Sequence, residues 1–138
     1  MLSRNDLQKL AEVRLVDSII LSKAERYSSA YYLAGYCIEL ALKACISKLL
    51  HANEIPDPVF VKEIYTHNLG DLLKIAGLRH QYDKDAKIDP LFAAYWGIAS
   101  KWDETSRYQS WDQFAATTLI QSIHDPDHGV FQWVKKHW

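Results

Sequence analysis

The stretch "YYLAGYCIELALKACISKLL", Tyr31 to Leu50, is apolar enough to look like a membrane span, yet it carries Glu39 and Lys43 at its centre. Each such charge near the middle of the hydrocarbon would cost roughly 2.5–3.5 kcal/mol, and Gly35, Tyr31, Tyr32 and Tyr36 offset little of it. The segment therefore reads as the central buried helix of a folded domain. Apolar residues at helical spacing (Ala30, Leu33, Ala34, Cys37, Ile38, Ala41, Ala44, Cys45, Leu49) extend it from about Glu25 to near His51. Gly35 costs about 1 kcal/mol relative to alanine inside a helix, so its position points to a close helix crossing.

Working outward, Leu7, Leu10, Ala11, Val13, Val16, Ile19 and Ile20 predict an amphipathic helix over roughly residues 5–24. Downstream, "ANEIPDPVF" is expected to exclude helix because of Pro56 and Pro58. Thr66 or Asn68 can cap a short helix through Leu69, Leu72, Leu73 and Ala76, which Gly77 stops. "QYDKDAKIDP" reads as a polar loop, and Asp89–Pro90 as the cap and first turn of a helix burying Leu91, Ala94, Tyr95, Ile98 and Trp102. Ala115 to Ile123 form another helix, "HDPDHG" interrupts it, and an aromatic-rich helix ends the chain. Nothing alternates with period two. The fold expected is all-α, a four- to five-helix up-and-down bundle with two long antiparallel helices, spanning 1–138 as one domain.

At 138 residues and a net charge of −1, the chain has no overall field to attract a polyanion, so any nucleic-acid contact must be local. Cys37 and Cys45 lie about two helical turns apart, too far for a disulfide within one helix, and read as buried apolar residues of a reducing compartment. The first residues mix both charge signs without an apolar core, unlike a secretory signal, so a cytoplasmic protein is expected.

Glu39 and Lys43 stand four residues apart with the acid first, the better order for an intrahelical pair. With Tyr32, Gly35, Tyr36 and Ser47 they draw a narrow polar seam on an apolar cylinder. It reads either as a solvated face with an ordinary ion pair or as a partly buried polar site.

"AYYLAGYCIELALKACI", followed by "THNLGDLL" and "WDETSRY", resembles the HEPN superfamily of small helical nucleotide- and RNA-associated domains. The resemblance covers most of the chain. It implies a homodimer joined through the long helices, and pairing with a minimal nucleotidyltransferase or membership of a toxin–antitoxin or defence system. By position it carries over Glu39, Lys43, His67, Arg107 and Tyr108, which together with Tyr36 of the seam are the expected ligand-binding residues for nucleotide or RNA. Ribonuclease members share an arginine followed, after four to six residues, by histidine. No arginine here has a histidine at that spacing, so no catalytic residue transfers.

The reading is of a binding or regulatory module without cofactor or metal. One alternative is a divergent metal-independent ribonuclease using His67, Arg107 and Lys43, and a second is a purely structural interaction protein. Arg107 is expected to pair with Glu39 while His67, at a helix N-terminus, faces the same seam. His124 and His128 have ligand-like spacing but flank Pro126 in a loop without a second ligand pair. Trp102 is expected in the core, and Trp133 and Trp138 on a dimer or partner surface.

Overall fold

The computed structural model describes residues 2–138, and among these it contains helices and no strand. Helix α1, Arg4–Lys23, opens with a reciprocal cap: Ser3 Oγ accepts from the Asp6 amide at 3.1 Å, and Asp6 Oδ2 accepts from the Ser3 amide at 2.9 Å. Glu25 adopts a left-handed φ of 63°, which turns the chain back through three residues into α2, Tyr27–Ser47. The two form an antiparallel hairpin, the most extensive helix pair in the molecule.

Helix α2 is apolar on nearly every side, and the fold surrounds it. Besides α1 it touches α4 (Leu69–Ile75), α7 (Gln113–His124), α8 (Val130–Lys135) and the 3₁₀ turn Glu104–Tyr108. Ile38, Leu42 and Ile46 are sealed from water, each contributing about 1.5–3 kcal/mol of burial. Gly35 is required by a side chain rather than by a helix crossing. The Trp102 indole lies only 2.2 Å from where a Cβ would project, so any larger residue would evict it. Trp102 is core, as expected.

The short elements are more numerous than the four or five helices expected. Pro58 starts a helix instead of excluding one: it occupies the first turn of α3, Pro58–Glu63, capped by Asp57. "QYDKDAKI" belongs to helix α5, Arg79–Ile88, whose support is local. Arg79 pairs with Asp83 at 3.3 Å, and Gln81 donates to Asp85 at 3.0 Å. Asp89 ends α5 and caps α6, Pro90–Ala99, its Oδ1 accepting from the Phe92 amide at 3.0 Å. The buried face of α6 is rotated from the expected one: Phe92, Trp96 and Ala99 go inward while Leu91 stays exposed. Tyr82, Phe92, Trp96 and Trp133 pack edge-on or tilted in one aromatic cluster that sets this rotation. No helix among the described residues is long and apolar enough to cross a membrane.

Candidate functional site

The seam is a buried site at one end and an open one at the other. Glu39 is 2 % exposed, although charged residues are seldom buried without partners. Its Oε1 accepts from His67 Nδ1 at 2.8 Å, and Lys43 Nζ lies 3.6 Å from Oε2. One hydrogen-bond donor and one ammonium thus offset the desolvation of one carboxylate.

His67 is placed by the cap of α4. The Asn68 amide donates to Thr66 Oγ1 at 3.2 Å, Asn68 Oδ1 accepts from the Asp71 amide at 2.9 Å, and Leu69, Leu72 and Leu73 seat the helix. Of the two expected caps, Thr66 and Asn68, Asn68 is the capping residue. An ionised carboxylate only accepts hydrogen bonds, so Glu39 fixes the proton of His67 on Nδ1 and leaves Nε2 for another partner. The His67 side chain is 47 % exposed and that of Lys43 20 %, so both can meet a ligand from solvent.

From this cluster the seam continues along α2. Tyr36 stacks parallel on Tyr32 with ring centres 6.0 Å apart, and burial, with Glu39 and Tyr32 adding, pushes its phenol above the usual range. Arg14 of α1 is the cation acting on Tyr36 from the opposite helix, a neighbour the sequence pattern of α2 alone did not reveal. Tyr32 packs on Trp102.

Arg107 does not pair with Glu39. Its guanidinium lies over the Tyr108 ring, 4.8 Å from the centre, and Tyr108 first, then Tyr32, hold its charge more firmly. The reason lies in the anchoring of the 3₁₀ turn. The Trp111 amide donates to Ser28 Oγ at 2.9 Å, Trp111 Nε1 donates to the Ser106 carbonyl at 3.2 Å, and the Trp111 ring stacks on Tyr31. These contacts hold Arg107 at the first turns of α2, where it borders a pocket of about 380 Å³ with Ser28, Ser29 and Tyr32. Tyr32 and Lys43 are eleven residues apart, about 16 Å along the axis. Of the six residues singled out in the sequence, Tyr36, Glu39, Lys43 and His67 converge, while Arg107 and the exposed Tyr108 mark the far end.

Elsewhere, His128 turns to Asp89 and His124 is exposed on a different groove, beside Ile19 and Lys23. Among the described residues no three potential ligands gather to hold a metal ion. Trp133, expected on a dimer or partner surface, is buried instead, while Trp138 is half-buried. Trp133 is 6 % exposed and donates to Asp85 Oδ2 at 2.8 Å, and Trp138 packs edge-on against Phe131. No family model, curated protein or solved structure matches this chain.

Proposed function

We propose that the chain is a HEPN-like binding or regulatory module of a prokaryotic nucleotide- or RNA-related system, of toxin–antitoxin or defence type. Its seam on α2 takes the phosphate of a nucleotide or RNA, and its partner is a minimal nucleotidyltransferase. The observation that carries this reading is the buried Glu39 carboxylate, which orients His67 through Nδ1, leaves Nε2 free, and holds the Lys43 ammonium on its other oxygen. The ammonium, and Nε2 when the imidazole is protonated, can donate to a phosphate oxygen, and a preset imidazole loses little freedom on binding. Tyr32 and Tyr36 continue the strip with ring faces, and Arg107 ends it with a second cation.

One feature favours a second reading, a metal-independent ribonuclease. An imidazole held by a carboxylate is also what general base catalysis requires. In that case His67 and Lys43 act together, and Arg107, about three turns away along α2, holds the strand rather than the reacting phosphate.

A mixed end-labelled RNA pool in EDTA separates the two, with filter binding of the same RNA and of nucleotides run in parallel. Retention of RNA or nucleotide without cleavage, weakened about tenfold or more in His67→Gln and less in Arg107→Ala, is the expected result. Cleavage abolished by His67→Gln would establish the ribonuclease instead. Neither retention nor cleavage, with the nucleotidyltransferase absent or present, would sink both.

The proposed homodimer uses the outer face of α1, where Val13, Val16 and Ile20 are 47, 54 and 58 % exposed one turn apart. Light scattering should give twice the chain mass for the parent and the single mass for Val16→Glu. A monomeric parent would refute this part.

A further inference from the structure

A second carboxylate–imidazole pair lies away from α2, where the α5–α6 junction meets the turn between α7 and α8. His128 Nδ1 donates to Asp89 Oδ2 at 2.7 Å. The turn is itself braced, because Asp125 Oδ1 accepts from the amides of Asp127 at 3.0 Å and His128 at 2.7 Å. His128 is therefore held at both backbone and ring, and its Nε2 has no partner among the described residues. The pair borders a cleft of about 500 Å³ whose walls include Phe92, Trp133, Ile88 and Lys136.

The chemistry of an occupant follows from which polar groups are already used. Asp89 accepts from His128 and the Phe92 amide, and Asp85 accepts from Trp133 and Gln81. Those two acceptors are engaged, and of the cleft's carboxylates only Asp127 accepts no side-chain hydrogen bond. The donors are free: besides His128 Nε2, Gln132 and Lys136 make no side-chain hydrogen bond or ion pair among the described residues, and Lys135 only lies over the Phe131 ring. Unused donors beside apolar walls suit an oxyanion carried on an apolar ring. Ile88, 81 % exposed at the rim, offers that ring a surface.

We propose that this cleft is a second ligand site, distinct from the α2 seam, which binds a small aromatic oxyanion through His128 Nε2, with Lys136 and Gln132 as further donors. Binding requires the imidazolium. The Asp89 hydrogen bond raises the His128 pKa, burial opposes it, and Asp125 and Asp127 add to the rise. Asp85 and the Lys135 and Lys136 ammonium groups are the remaining charges on the cleft wall.

The test follows the histidine ring resonances of the full chain by NMR during titration with phenyl phosphate at about pH 6. Benzoate and inorganic phosphate run in parallel to separate the phosphate from the carboxylate and the ring from the anion, with benzylamine as the cationic control. A saturable shift at His128, absent with benzylamine and weaker with inorganic phosphate, is expected. His128→Gln keeps a donor for Asp89 and should weaken binding at least about tenfold. Asp89→Asn retains the cap of α6 but withdraws the counter-charge, so binding should fail at a lower pH than in the parent. Shifts confined to His67, unchanged affinity in His128→Gln, or an unchanged alkaline limit in Asp89→Asn would each overturn the assignment.

Discussion

The two carboxylate–imidazole pairs have nearly the same contact, 2.8 Å for Glu39 with His67 and 2.7 Å for Asp89 with His128, and opposite surroundings. The Glu39 side chain is 3 % exposed and that of Asp89 30 %. Glu39 projects from the middle of the most enclosed helix, where no backbone amide is free to meet it. It depends on His67 and on Lys43. Asp89 sits between two helices, where its second oxygen accepts from an open amide at the start of α6, and water reaches the rest. Equal hydrogen-bond lengths therefore conceal unequal dependence: the imidazole is a condition of burial in one pair and an addition to an existing cap in the other.

Removing partners should expose that inequality. The double variant Lys43→Ala, His67→Ala leaves Glu39 buried among apolar neighbours without either partner. Urea unfolding should show a loss of about 2–4 kcal/mol, somewhat less than for a fully sealed pair because His67 is half open to water. Adding Glu39→Leu to the same protein should restore most of that loss, since the uncompensated carboxylate is gone. If the double variant unfolds like the parent, Glu39 is already hydrated and the seam is an ordinary surface. At Asp89 the corresponding change should be smaller.

What was legible in the sequence divides along the same line. Local chemistry was plain: Asp89 before Pro90 as a cap, Thr66 or Asn68 as the start of α4, of which the fold uses Asn68, and Gly77 as a left-handed stop, which has φ +73°. Each is decided within four residues. The burial of Glu39 was half visible, because the faces flanking it are apolar all round. Its partner His67 is 28 positions away, and Asp89 and His128 are 39 apart, so docking of short helices chooses them and no spacing rule does. The expectation for Arg107 failed for the same reason. The anchor that holds it at the start of α2 is Trp111 on Ser28, 83 positions apart. Helix α5 was missed because its polar face outweighs its few apolar contacts, chiefly Tyr82, and its ion pairs cannot be seen in composition.

The smallest effect is the most specific to the open pair. The Asp89 carboxyl is held below its usual range, first by the His128 hydrogen bond and then by the Phe92 amide, while His128 is raised, first by Asp89. A raised histidine contributes stability that is complete below its unfolded pKa and is lost as pH rises through the folded one. A depressed carboxyl contributes stability present above its unfolded pKa and lost as pH falls through the folded one. The pair should therefore stabilise the fold most between about pH 4 and pH 6.5. His137 works in the opposite direction: burial lowers its pKa, so its contribution is lost as pH falls through the unfolded value. The parent profile alone would mix the two. Subtracting the melting profile of Asp89→Asn, which leaves His137 in place, should isolate a modest hump confined to that window. A flat difference would mean that the imidazolium does not hold the α7–α8 turn against α6 at all, and that only the cap of α6 depends on Asp89.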